Sequence, residues 1–349
     1  MSQIKNLSLG SISFLVHRRT SLFTAFILIA CFVVWLISLL TGDFPMSFNQ
    51  IIAVLSGGGT PLERTVIIQW RLARALVAVT IGAALGISGA ITQRIARNGL
   101  ASPDILGISR GATCAAVALM VFNGGASSAI TTYVGIPLAA VIGGLFTAAV
   151  IWLLSVRSGL DMFRLVLVGI GVNAALQAVI TYMLAATDLN TAAAAKVWMI
   201  GTINGRTFEH LWPTLIALII ALIVLIRISI HLPILELGTD ASLGLGVPLK
   251  RVNTLLLIIS VALAAITVSA VGPVGFVAFV APQIAARLAQ VGAPPITLSA
   301  AMGGFLLISS DLLARSLFPW EVPVGIVTSA LGGPFLIWLL LRQSKIHSR

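Results

Sequence analysis

Long apolar runs separated by short polar stretches repeat along the whole chain. Apolar runs of about 18 residues or more are the signature of membrane-spanning helices. Ten are expected, at 21–40, 71–93, 106–123, 131–155, 164–187, 207–227, 251–270, 274–290, 296–317 and 324–342. Several are short or interrupted by Gly and Pro. No long run alternates apolar and polar residues as barrel strands do. The expected fold class is an all-α polytopic membrane protein of about ten transmembrane helices. A cytoplasmic N-terminal tail (1–20) precedes one transmembrane domain (21–342), and a cytoplasmic C-terminal tail (343–349) follows it.

Composition agrees. Hydrophobic residues make up 58% of the chain and charged residues only 9%, against about 25% charged in soluble domains. A net charge of +11 in a soluble protein would suggest nucleic acid. Here Lys and Arg mark cytoplasmic loops instead, and no nucleic-acid partner is expected. With the N-terminus inside, only Arg64, Arg71, Arg74, Lys196, Arg206 and Arg315 of the 21 Lys and Arg fall outside. The others, Arg110 among them, fall on inner segments, which favours an N-in/C-in topology. Residues 41–70 and 188–206 are then outer loops. Trp70, Trp198 and Trp212 lie near the outer boundary, where amphipathic rings prefer to sit.

Candidate chemistry is sparse. Cys31 and Cys114 lie in apolar segments and make no disulfide framework. His17, His210, His231 and His347 are far apart in sequence, and no cluster has metal-ligand spacing. None of the four lysines follows a glycine, so the Gly-Lys-Ser/Thr phosphate cradle is missing. The ten acidic residues fall nearly all in loops or at span ends. Asp311 is the exception, and an ion pair with Arg315 one helical turn away is favoured there over a proton relay. The chain therefore reads as a pathway powered by something else, such as a separate ATPase on its cytoplasmic face.

The stretch LELGTDASLGLGVPLKR (235–251) separates two spans. Gly238 and Gly246 bound a short helix, and Pro248 starts the next span. Such a helix can fill a groove in a partner or remain an ordinary solvated loop. Asn173, Gln177 and Thr181 recur every four residues on the fifth span and share one face. That face should meet a water-filled passage or another helix. Gly82 and Gly86 form a GxxxG pair suited to close helix packing.

Several segments resemble the permeases of the iron-siderophore and vitamin B12 importer family. They are RLARALVAVTIGAALGISGAITQRIARNGLASPDILGISRGA (71–112), ILELGTDASLGLGV (234–247), VGPVGFVAFVAPQIAARL (271–288) and SSDLLARSLFPWEVPVGIVTSALGGPFLIWLLL (309–341). FRLVLVGIGVNAALQAVI (163–180) with KVWMIGTINGRT (196–207) is most similar to the second permease of ferric-enterobactin importers. The resemblance implies a type II ABC importer permease fold in the bacterial inner membrane, with no catalytic site and no cofactor in this chain. It also implies a second permease subunit, two ATPase subunits that bind ATP and Mg, and a periplasmic or lipid-anchored binding protein. The cargo would be a ferric siderophore, with catecholate favoured. Vitamin B12 or haem, or an ion-coupled carrier needing no ATPase, are the alternatives.

By the same resemblance, Arg71, Arg74 and Arg315 would dock glutamates of the binding protein. Glu236, Gly238, Asp240, Leu243 and Gly244 would couple to the ATPase from a loop at about 234–247. Asn98, Gly99 and Leu100, with Asp161, Met162 and Phe163, would form a cytoplasmic gate. Asn173, Gln177 and Thr181 would line the pathway. The chain departs from the family pattern at Gln283 (commonly His), Ala286 (commonly basic) and Gly99 (often Pro).

Overall fold

The computed structural model describes residues 4–9, 12–42, 44–122, 134–155, 162–236 and 238–347. Each of the ten expected spans corresponds to a helix: α1 (Arg18–Leu40), α2 (Ala73–Ala96), α3 (Ile108–Phe122), α4 (Ile136–Ser155) and α5 (Met162–Ala185). The second half supplies α6 (Phe208–Ile228), α7 (Leu249–Val271), α8 (Val277–Ala289), α9 (Ile296–Ser316) and α10 (Val324–His347). Eight helices of the described residues are long and apolar enough to cross a membrane. The two shorter ones are α3, with 15 residues, and α8, with 13.

At about 1.5 Å per residue, α3 and α8 reach only about 20–23 Å, short of the roughly 30 Å hydrocarbon core. Non-helical chain at membrane depth is tolerated only where protein buries it or where it lines a cavity. Residues 97–107 precede α3 and residues 272–276 precede α8. Ala101, Pro103 and Gly107 of the first stretch and Gly272 and Val274 of the second are buried, whereas Arg97 and Asn98 are exposed.

The buried centre is α2, whose membrane segment is 83% buried, against 11% for α6. Small residues make this possible, because lipid tails give helices no hydrophobic reason to associate and close backbone contact must supply one. A Cβ on Gly86 would lie 2.1 Å from the Ser299 carbonyl oxygen of α9, and one on Gly82 would lie 2.3 Å from that of Gly303. A Cβ on Gly89 would meet the Ala278 carbonyl of α8 at 1.7 Å. The GxxxG pair is thus a helix-packing face, as its spacing suggests. Hydroxyls bind α2 to α7: Ser88 Oγ donates to the Ser260 carbonyl at 2.7 Å, and Thr92 Oγ lies 2.8 Å from Ser260 Oγ.

The loops hold more structure than expected. Residues 4–9 and 12–17 pair as a short antiparallel hairpin just before α1, within the stretch expected as a tail. Ser47 and Thr60 each head a helix through a capping box, with Gln50 and Glu63 returning the bond. Thr65–Leu72 is a π-helical segment running into α2. A helix at Leu189–Ile200 fills much of the second outer loop. Asp188 caps it, accepting from the Thr191 backbone N–H at 2.9 Å.

Candidate functional site: a polar cavity between an arginine-lined hollow and a coupling loop

Three places carry the chemistry. The first is a hollow of about 810 Å³ at the end the charge bias assigns to the outside, lined by Arg71, Arg74, Arg206, Arg315 and Glu321 among others. Arg74 grips Asp311, with Nη2 to Oδ1 at 2.8 Å and Nε to both carboxylate oxygens at 3.1 Å. It also pairs with Glu321, whose other oxygen accepts from Asn204. The principal partner of Asp311 is therefore Arg74, 237 residues away. The i, i+4 contact with Arg315 is looser, at 3.7 Å.

Arg315 and Arg71 both serve the end of α1. Its last carbonyls have no partner within the helix and carry the negative end of its dipole. Arg315 donates to Ser38 O, Ser38 Oγ and Thr41 O at 2.6–2.7 Å. Arg71 donates to Leu39 O at 2.9 Å and to Phe44 O. Gly42 leaves room for the Arg71 guanidinium, since a Cβ there would sit 2.7 Å from Nη2. Arg71 is only 7% exposed. Its expected direct pairing with a partner's glutamate does not fit this arrangement, in which the guanidinium is turned inward onto backbone oxygens. Arg74 and Arg315 face the hollow but are also held within the chain.

The second place is the inner segment between α6 and α7. The short helix Thr239–Gly244 forms as expected, with Gly238 at φ +108° before it and Gly246 at φ +78° after it. Leu243 and Leu245 are more than half exposed. Ser242 Oγ folds the loop on itself through Ile234 O and Gly238 O at 2.8 and 2.6 Å. Glu236 forms an ion pair with Arg94 of α2 at 2.6 Å, and Arg94 also donates to Leu232 O and Pro294 O. Glu236 thus fastens the loop to the buried central helix. The side chain of Asp240 lies outside the described residues, though its backbone belongs to the helix.

The expected gate is only partly described. Asn98 Oδ1 accepts from the Leu100 N–H at 2.9 Å and closes a tight turn. A Cβ on Gly99 would lie 2.5 Å from Gln283 Nε2, and Gln283 donates onward to Gln93 Oε1 at 2.8 Å. Gly99 and Gln283 are therefore neighbours, and the small residue leaves room for the amide. Asp161 lies outside the described residues, as do the side chains of Met162 and Phe163.

The third place is a cavity of about 870 Å³ within the bundle. It is lined by Asp104, Ser109, Arg110 and Thr113 beside α3, Asn173 and Ile170 of α5, Pro273–Gly275 before α8, and the start of α10. Both connecting stretches contribute to its lining, the first through Asp104 and the second through Pro273–Gly275. Asn173 lies at the middle of α5, about 16–18 Å from either end. It lines the cavity, and its buried Oδ1 has no hydrogen-bond partner among the described residues. Gln177 and Thr181 are bonded to each other at 3.3 Å. Gln177 Oε1 accepts from Arg110 Nη1. The polar stripe of α5 therefore meets α3 as well as open space.

Arg110 corrects the sequence-based topology, which put it on an inner segment. Because its guanidinium bonds Gln177, well inside the membrane-length helix α5, Arg110 stands at membrane depth. Asp104 lies on the same wall and accepts from Ser109 Oγ. Neither Asp104 nor Arg110 was singled out as a site from sequence. The available signal was the shortness of the third span beside two ionisable residues.

Among the described residues no group of three or more His, Cys, Asp or Glu could hold a metal ion.

Comparison with known proteins accords with this geometry. The chain is 38% identical over 331 residues to the ferric enterobactin transport system permease protein FepG of Escherichia coli K12, covering 95% of this chain and 98% of that one. It is 35% identical to the iron(3+)-hydroxamate import system permease protein FhuG of Bacillus subtilis 168, over 89% and 94% of the two chains. The fold matches a metal-chelate type ABC transporter solved in an inward-facing conformation, with a TM-score of 0.81 and 24% identity over 92% of this chain. The FecCD transport family matches residues 27–342, so the chain belongs to that family, the importer-permease family its sequence resembles.

Proposed function

We propose that this chain is the membrane-spanning subunit of an ATP-driven importer of ferric siderophores in the bacterial inner membrane. The observation that carries the reading is the helix Thr239–Gly244, which presents Leu243 and Leu245 to the outside of the fold while Glu236 ties its base to α2. An apolar projection rigidly linked to the central helix suits transmission of force from another protein. The solvated-loop alternative gives no reason for two exposed leucines.

The remaining parts follow the same logic. A sister permease chain completes the passage, and a heterodimer is preferred to a homodimer because the permease named for ferric enterobactin is a close relative in sequence. The outer hollow receives a binding protein, whose acidic side chain competes with Glu321 for Arg74 and with backbone oxygens for Arg315. Among cargoes, a catecholate chelate is preferred to hydroxamate, citrate, vitamin B12 or haem. ATP and Mg belong to the ATPase partner.

Affinity purification of the tagged chain, co-expressed with an adjacent sister permease and ATPase, tests the core of this. Co-elution of both, with ATP hydrolysis stimulated by a loaded binding protein, supports the reading. A chain that purifies alone and carries chelate under an ion gradient favours the secondary-carrier alternative.

A further inference from the structure

We infer that Arg110 is a contact for anionic cargo within the membrane, and that it makes the passage selective for negatively charged ferric chelates over neutral ones. The inference rests on the reading of this chain as a ferric-chelate permease and deepens it.

An ionised side chain at membrane depth is costly and is kept where it faces protein, water or a substrate path. Arg110 is exposed to the cavity rather than packed away. Gln177 Oε1 accepts from one guanidinium nitrogen and fixes the side chain against α5. The remaining N–H donors have no partner among the described residues and border the open volume. Asn173 lines the same cavity, and its buried Oδ1 has no partner among the described residues.

The opposing charge is on the same wall but does not consume the guanidinium. The Asp104 carboxylate accepts from Ser109 Oγ, and no ion pair within 4.0 Å joins it to Arg110 among the described residues. Among the described residues, Arg110 and Asp104 are the only ionisable ones that line this cavity. A guanidinium offers planar, charge-assisted donors that match carboxylate and phenolate oxygens. Asp104 close by weakens the pull on an anion, which suits a site that must release its cargo.

Chelate chemistry then separates the cargo classes. Three catecholates bring six negative charges to Fe(III) and leave a trianion. Three hydroxamates bring three and leave a neutral complex. Only the first gains from a fixed cation in a low-dielectric passage.

The test uses the complete importer in proteoliposomes: this chain, its sister permease, ATPase and binding protein. Uptake of radiolabelled ferric tris-catecholate and neutral ferric tris-hydroxamate is measured for wild type, Arg110→Lys and Arg110→Gln. Wild type is expected to accumulate the anionic chelate. R110Q should lower its maximal rate about tenfold, the scale of one lost hydrogen bond to a charged group, while R110K stays within about twofold. Anionic uptake by R110Q at the wild-type rate overturns the inference, as do equal losses in R110K and R110Q, or a wild type that moves only the neutral chelate. An R110Q chain that no longer assembles with its sister permease also overturns it, in favour of a structural role. Failure of the parent reading shows in wild type instead, as no ATP-dependent uptake of either chelate, and removes this inference with it.

Discussion

Replacing Asp311 with Asn keeps the shape of the side chain and removes the anion on which Arg74 and Arg315 converge. Asp311 is 1% exposed and Arg74 15% exposed, and they share three contacts of 2.8–3.1 Å. Removing one member of a buried pair strands the other charge and costs about 3–5 kcal/mol. Arg74 keeps Glu321, which is 37% exposed, but a pair at that exposure contributes about 0–1 kcal/mol. The D311N variant should therefore give a clearly lower thermal unfolding midpoint in detergent or nanodiscs, while E321Q stays near wild type. Replacing both buried partners, with Arg74→Met and Asp311→Leu, should recover part of the loss, because the Arg74 charge is then no longer stranded. A D311N protein that unfolds at the wild-type temperature yet no longer transports would refute this reasoning. It would make Asp311 a proton-handling group instead.

Further predictions concern packing, coupling and acid sensitivity. Gly86→Val should destabilise the bundle by about 1–3 kcal/mol through overpacking against α9. Gly171→Ala, with nothing within 4 Å of its added Cβ, should leave the unfolding midpoint unchanged in the same assay. Gly244→Trp enters open space and should leave the folded protein intact while abolishing ligand-stimulated ATP hydrolysis. Gly238→Val, at φ +108°, should also distort the loop, seen as faster proteolysis between α6 and α7. The backbone N–H of Thr191 holds the Asp188 carboxyl below its usual range. A lowered folded-state pKa gives stability that is present above the unfolded value and lost as pH falls through the folded one. Hydrogen exchange, corrected for intrinsic rates, should therefore show Leu189–Ile200 fraying in acid, and Asp188→Asn should remove that pH dependence.

Eight spans were legible because an apolar run of membrane length announces itself without tertiary information, and the shorter α3 and α8 were legible as apolar runs though not as short ones. The short helix 239–244 was legible too, since its bounding glycines take positive φ as their positions require. What escaped depends on distance in the chain. Asp311 has a near neighbour in Arg315, but its tighter partner is Arg74, which no local spacing reveals. Arg71 and Arg315 looked like surface cations, because the α1 carbonyls they bind, Leu39 and Ser38, lie 32 residues away from Arg71 and 277 from Arg315. Arg110 was placed at the wrong depth because hydropathy treats 106–123 as a full span. The chain in fact reaches α3 through a 3-10 turn, Pro103–Leu106, and becomes α-helical only at Ile108. The Leu189–Ile200 helix escaped because its alanines and polar residues lack both an apolar run and a strong stripe.

Vesicles test the central claim most directly, with this chain and its sister permease reconstituted with or without the ATPase and with loaded binding protein outside. Ferric chelate should accumulate against its gradient only when ATPase and ATP are both present, and the Gly244→Trp vesicles should accumulate none. Accumulation by the permease chains alone, without nucleotide, would contradict the account.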